Sequence, residues 1–230
     1  MTAITEEQGA STGRHATRER VERLGAVAVV RLHSTEAALR VVDALHAGGV
    51  TALEITVTVP DAFAVIAAVA KRFGDEVCVG VGTVLDVDTV RGAVQAGAQY
   101  VVSPVFRPAV VAESHRLGVP AMPGAITPTE ILAAHDAGAD VVKIFPADGF
   151  GPAYIKAVLA PMPFLRLMPT GGVTPENVGS WLAAGAVAVG LGGSLVDAAL
   201  VAKGEWGAIT ERARRVSAAV ADARARRGTA

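Results

Sequence analysis

Sulfur, lysine, net charge and long apolar runs are all scarce in this sequence, and each scarcity removes a class of function. A single cysteine, Cys78, argues against a disulfide framework and against a thiolate metal site. It lies in the apolar run Val77-Cys78-Val79-Gly80 and reads as a small core residue. A net charge of −1 leaves no electrostatic footprint for nucleic acid or an anionic membrane. No run reaches the ~18 uninterrupted apolar residues of a membrane helix. No His/Asp/Glu spacing suggests a metal site, and no Gly-x-Gly-x-x-Gly fingerprint follows the first apolar run, which weakens a dinucleotide-binding reading. The first fifteen residues lack the basic start and apolar stretch of a signal peptide, so a cytoplasmic enzyme is expected.

What is present is a rhythm. At 230 residues and 51% hydrophobic side chains, the chain can bury one large core. A polar stretch over 1–16 reads as a disordered tail, and 17–230 as one domain that opens with a short helix over 17–24. Apolar strand-like runs then alternate with helix-like runs. Ser34 caps a helix that runs to Ala47, and Thr127-Pro128-Thr129-Glu130 opens another as a capping box. Gly48-Gly49, Gly97, Gly138 and Gly185 each stand just past a helix and directly before a strand, as the left-handed glycine cap of a tight return. Eight such units predict an α/β fold with a parallel sheet. In this length they favour a closed (β/α)₈ TIM barrel over an open doubly wound sheet.

Two charges interrupt the apolar scheme. The chain has four lysines, and Lys143 stands alone inside Ala139-Asp140-Val141-Val142-Lys143-Ile144-Phe145-Pro146. A buried ammonium is costly unless it is paired or neutral, and a neutral amine attacks a carbonyl to form a Schiff base. Glu54 interrupts Ala52-Leu53-Glu54-Ile55-Thr56-Val57 in the same way. Two readings stand: a structural ion pair, or a Schiff-base lysine with a proton carrier beside it. Arg31, closing the first strand, reads as an anion binder or as a partner for Glu54. His33 in the next loop reads as a solvated residue or as a substrate contact, and His15, His46, His115 and His135 read as surface residues. Asp148 and Lys156, just past the Lys143 strand, read as support for the site or as polarity at a helix start.

Barrels of this kind hold their sites at the C-terminal strand ends. There the sequence places Arg31, Glu54, Thr83, Pro104, Lys143, Thr170-Gly171-Gly172 and Gly192-Gly193-Ser194. Bare N–H groups at glycine turns bind anions, and phosphate sites recur after strands seven and eight. Each Gly-Gly alone would also suit an ordinary turn.

Six motifs in order carry a family resemblance over about 26–196: Leu53-Glu54-Ile55-Thr56, Val81-Gly82-Thr83-Val84-Leu85, Val102-Ser103-Pro104, Met122-Pro123-Gly124, Val142-Lys143-Ile144-Phe145-Pro146 and Pro169-Thr170-Gly171-Gly172. Together they resemble the class I aldolases that cleave 2-keto-3-deoxy-6-phosphogluconate (KDPG) and 4-hydroxy-2-oxoglutarate (KHG). The resemblance implies a (β/α)₈ barrel, usually a homotrimer, a keto-acid phosphate as substrate, no metal or organic cofactor, and a place in the Entner–Doudoroff pathway. It makes Lys143 the Schiff-base lysine and Glu54 the general base and acid. Thr83 and Pro104 would hold the pyruvyl part, and Thr170, Gly171, Gly172, Gly192, Gly193 and Ser194 the phosphate. Many members carry an arginine where this chain has Thr58, which leaves the substrate carboxylate to Arg31, Thr83 or backbone. The run Phe150-Gly151-Pro152-Ala153-Tyr154-Ile155-Lys156 resembles members acting on the galactonate isomer. A phosphosugar epimerase or isomerase, or a non-catalytic sugar-phosphate binder, would keep the glycine turns without needing both Lys143 and Glu54.

Overall fold

The computed structural model describes the backbone of residues 2–228 and the side chains of residues 13–226, so the last two residues of the expected domain lie outside the described residues. A leading helix α1 (Thr2–Leu24) enters strand β1 (Ala26–Val30), and α2 (Thr35–Ala47) leads on to β2 (Ala52–Thr56). Then come α3 (Ala62–Phe73), β3 (Cys78–Gly82), α4 (Val87–Gln95) and β4 (Val101–Val102). Helix α5 (Pro108–Arg116) is followed by two short strands, β5 (Ala121–Met122) and β6 (Gly124–Ala125). The chain continues through α6 (Pro128–Asp136), β7 (Val142–Ile144), α7 (Pro152–Leu159) and β8 (Leu167–Pro169). It closes with α8 (Val178–Ala183), β9 (Val189–Leu191), α9 (Ala198–Ala202) and α10 (Trp206–Gly228).

All strand pairings among the described residues are parallel. Six strands lie in the order β5-β4-β3-β2-β1-β9, and three more in the order β6-β7-β8. The expected fifth run is therefore split. Pro123 stands between β5 and β6, and a proline has no N–H to give a ladder. Its carbonyl still accepts from the Lys143 N–H at 2.9 Å, which ties the small sheet to the break. One isolated parallel bridge, Thr170 to Gly190, joins the residue after β8 to the middle of β9. Every residue of β1, β2 and β3 is buried, as in strands covered on both faces.

Local chemistry explains the helix starts and stops. The Ser34 hydroxyl accepts from the Ala37 N–H, and Thr127 and Glu130 complete the capping box with Pro128 in the first turn. Gly49, Gly97, Gly138 and Gly185 all have positive φ, the backbone sign expected of them. Three features depart from expectation. Helix α1 begins at Thr2 rather than near residue 17 and so takes in the stretch read as a tail; its Ala and Glu content favours helix. The region after Leu195 forms two helices rather than one, parted at Gly204, which has a φ of 68°. His115 is not a free surface group: its Nε2 lies 3.0 Å from the buried carboxylate of Asp140. Asp140 also accepts from the Ala121 N–H, so the pair pins α5 beneath the strands.

Candidate active site

Glu54 is the third residue of β2 and Lys143 the second of β7, so the two come from different sheets. Their side chains meet in the interior, 1% and 6% exposed, with Lys143 Nζ 3.4 Å from Oε1 and 3.5 Å from Oε2. A tight charge-assisted hydrogen bond would be about 2.7–2.9 Å. This contact is longer and shared between both oxygens, which suits groups that must part around a reacting atom. The Phe145 ring centroid lies 5.2 Å from the same Nζ. The alternative pairing of Arg31 with Glu54 is not formed. Arg31 is exposed and makes no ion pair among the described residues.

A glycine sets the position of Glu54. A Cβ added at Gly82, on the neighbouring strand β3, would stand 2.1 Å from Glu54 Oε1. The next residue, Thr83, has a φ of 64°, a left-handed conformation that costs a non-glycine residue roughly 1 kcal/mol or more. Pro104 lies against the strand next to the lysine: a Cβ at Gly124 would lie 2.2 Å from the Pro104 carbonyl, and Gly124 pairs with Lys143 in the ladder. Below them, burial pushes the Tyr100 phenol well above its ordinary pKa, so it stays a neutral hydroxyl against Gly80.

A cavity of about 420 Å³ opens at the ends of β1, β7, β8 and β9. Arg31, Lys143, Phe145, Thr170 and both glycine turns line it, and its size suits a small ligand. The two turns differ. Gly171 and Gly172 have φ of 102° and 68°, and a Cβ on them would press on Asp148 at 2.5 and 2.8 Å, so the turn itself demands glycine. Gly192 and Gly193 have nothing within 4 Å of an added Cβ, and neither has positive φ. Packing among the described residues does not demand glycine there, which leaves close access for a ligand. The N–H groups of Leu195 and Val196 both donate to the Gly192 carbonyl, at 3.0 and 2.9 Å. Those of Gly193 and Ser194 donate to no protein acceptor among the described residues. The Ser194 hydroxyl donates to the Val173 carbonyl at 2.6 Å, joining one turn to the other.

The structure thus gathers Lys143, Arg31, Thr170 and both turns around one cavity, with Glu54 buried against Lys143; Thr83 follows Gly82 in the chain, and Pro104 lies against Gly124. Sequence reasoning passed over Phe145, whose adjacency to Lys143 was the available signal. It also passed over what Thr58 does. The Thr56 hydroxyl donates to the Val30 carbonyl at 3.3 Å and lies 2.7 Å from the Thr58 hydroxyl. His33 is exposed, as expected. Among the described residues, no group of three or more His, Cys, Asp or Glu could hold a metal ion, and no helix is long and apolar enough to cross a membrane.

A buried amine facing a carboxylate, at the ends of parallel strands backed by helices, is an arrangement that class I aldolase chemistry can use. Residues 17–212 match the family described as KDPG and KHG aldolase, and the chain belongs to that family. It is 37% identical over 177 residues to the 2-dehydro-3-deoxy-6-phosphogalactonate aldolase of Escherichia coli (strain K12), covering 76% of this chain and 86% of the relative. It is 38% identical over 193 residues to the 2-dehydro-3-deoxy-phosphogluconate aldolase of Treponema pallidum (strain Nichols), covering 84% and 91%. Its fold is similar to that of the KDPG aldolase from Legionella pneumophila, solved with pyruvate captured as a covalent carbinolamine intermediate. The TM-score is 0.77 at 28% identity, over 84% of this chain and 93% of that one.

Proposed function

We propose that the protein cleaves KDPG to pyruvate and glyceraldehyde 3-phosphate through a Schiff base on Lys143. The observation that carries this reading is the buried Lys143–Glu54 pair at the cavity wall. Neutral Nζ attacks the C2 ketone, and Glu54 transfers protons as water leaves the carbinolamine. The Glu54 carboxylate then takes the proton of the C4 hydroxyl. The C3–C4 bond breaks, its electron pair moves into the protonated imine, and the aldehyde departs. The resulting enamine is protonated at C3, and water hydrolyses the imine to release pyruvate and the free amine.

Arg31, the unpaired cation on the cavity wall, holds the substrate carboxylate in place of the arginine that Thr58 replaces. Thr83 and Pro104 border the pyruvyl part. The free N–H groups of Gly193 and Ser194, with Thr170, Gly171, Gly172 and Gly192, receive the phosphate. The galactonate isomer and KHG, which would give pyruvate and glyoxylate, are further substrates of this reading. Relatives named for the two sugar isomers are 37% and 38% identical to this chain, so likeness does not choose between the isomers.

The same reading takes β5 and β6 as one strand and the whole as a closed (β/α)₈ barrel over 17–230. The Thr170–Gly190 bridge, the Val187 N–H donated to the Leu167 carbonyl at 3.0 Å, and the β1–β9 pairing support closure. A homotrimer is proposed as well, with the exposed Phe63, Leu85 and Val105 as apolar surface available for cover. A cytoplasmic location accords with a lone buried cysteine.

Incubation with pyruvate and borohydride, followed by peptide mass mapping, tests the chemistry. An adduct on Lys143 is expected. A folded protein with no adduct would overturn the Schiff base and favour an epimerase or a non-catalytic binder.

A further inference from the structure

The β9–α9 connection presents donors to the cavity, and two of the carbonyls along it are engaged elsewhere. The Gly192 carbonyl accepts twice, from Leu195 and Val196. The Ser194 carbonyl accepts from outside the loop altogether: Arg212, one and a half turns into α10, donates to it through Nη1 at 3.1 Å. The same guanidinium grips Asp197 Oδ2 with both Nη atoms at 3.3 Å. Asp197 in turn caps α9, its Oδ1 accepting from Ala199 at 2.8 Å and Leu200 at 3.4 Å. One planar fork therefore fixes both the middle of the loop and its far end.

We propose that Arg212 is a positioning residue for the phosphate end of the substrate, acting through Ser194. The inference rests on the phosphate reading proposed above. A carbonyl left unpaired in this loop could rotate and turn its negative end to the cavity, opposing an anion. By holding the Ser194 carbonyl, Arg212 keeps that oxygen engaged outside the loop, so that it does not turn to the cavity beside the free Gly193 and Ser194 N–H groups. Lys143 and Glu54 stand on β7 and β2, and neither bonds to this network. The residue therefore acts on one end of the substrate and leaves the chemistry alone.

The test compares steady-state kinetics on KDPG, which carries a phosphate, with kinetics on KHG, which does not, alongside pyruvate trapping by borohydride. Arg212→Ala is expected to raise the KM for KDPG about tenfold, as for loss of a charge-assisted hydrogen bond. Its kcat on KDPG, its KM for KHG and its pyruvate trapping are expected to stay near those of the parent, and Arg212→Lys to recover part of the loss. A KM that moves equally for both substrates, or for neither, overturns the proposal. Should Arg212→Ala fold poorly by circular dichroism, Asp197→Asn loosens the fork while leaving the arginine. It is expected to show the same split, smaller, and the absence of any split there overturns the proposal too. Failure of the underlying reading is seen in the unaltered protein: equal KM values for both substrates would mean no phosphate site, and the role of Arg212 would fall with it.

Discussion

Gly82 is the reason Glu54 can face Lys143, because any Cβ at that position would stand 2.1 Å from the carboxylate oxygen. Gly82→Ala is expected to push the carboxylate aside while leaving the lysine in place. A displacement of about 1 Å can cost about 100-fold in rate, so kcat is expected to fall by at least that factor. Activity within a few-fold of the parent would show that Glu54 does not need this position.

Removal of either member of the central pair separates its two contributions. Lys143→Met is expected to abolish imine trapping and to leave a buried carboxylate without its partner, at a cost of about 3–5 kcal/mol. Glu54→Gln is expected to keep trapping with pyruvate, more slowly, and to lower kcat by about 10²–10⁴. Urea unfolding measures the first effect and stopped-flow kinetics the second. A methionine variant that still traps pyruvate would place the Schiff base elsewhere.

Arg31 is the exposed cation on the cavity wall and is free of ion pairs among the described residues. Arg31→Gln is expected to raise the KM for pyruvate in the condensation direction by about tenfold or more, from the loss of one charge-assisted contact. An unchanged KM would move carboxylate binding to Thr83 or to backbone.

Glu113 provides a pH handle far from the site. Hydrogen bonds from Arg116 and Arg91 hold its carboxyl at about 2, below its ordinary value. The folded-state pKa is depressed, so the stability it adds is present above the unfolded value and is lost as pH falls toward 2. Glu113→Gln is therefore expected to melt lower than the parent at neutral pH, with the two curves converging in acid. Parallel curves across that range would remove the link.

Cys78 is buried, and burial pushes its thiol up to about 11. A thiol reagent at pH 8 is expected to leave the native protein unlabelled and to react once after denaturation. Rapid native labelling would mean that β3 opens.

The sequence showed the repeating units, the capping residues and the two anomalous charges, because each leaves a local mark: a period, a hydroxyl before a helix, a charge among valines. What it hid is non-local. Nothing near Pro123 in the chain says that the fifth run breaks into strands of two different sheets. His115 looks like a helix-surface residue until Asp140, 25 residues on, is folded beneath it. The two Gly-Gly turns look alike in sequence. Only the approach of Asp148 to the first turn, and the open space over the second, tells them apart. Arg212 sits in an arginine-rich helix whose composition suggests nothing but solvent.

The division of strands into a group of six and a group of three puts Glu54 on one slab and Lys143 on the other. The gap between carboxylate and amine is then a distance between two bodies, governed by how tightly they seat along a seam. That seam is stitched by a few backbone bonds: from Asp140 to Ala121 and from Lys143 to Pro123 on one side, and by the Thr170–Gly190 bridge and the Val187–Leu167 bond on the other. On the proposed mechanism, residues along the joint become tuning screws for proton transfer: a change there adjusts the stroke of the reaction while Lys143 and Glu54, and everything they touch, keep their identity.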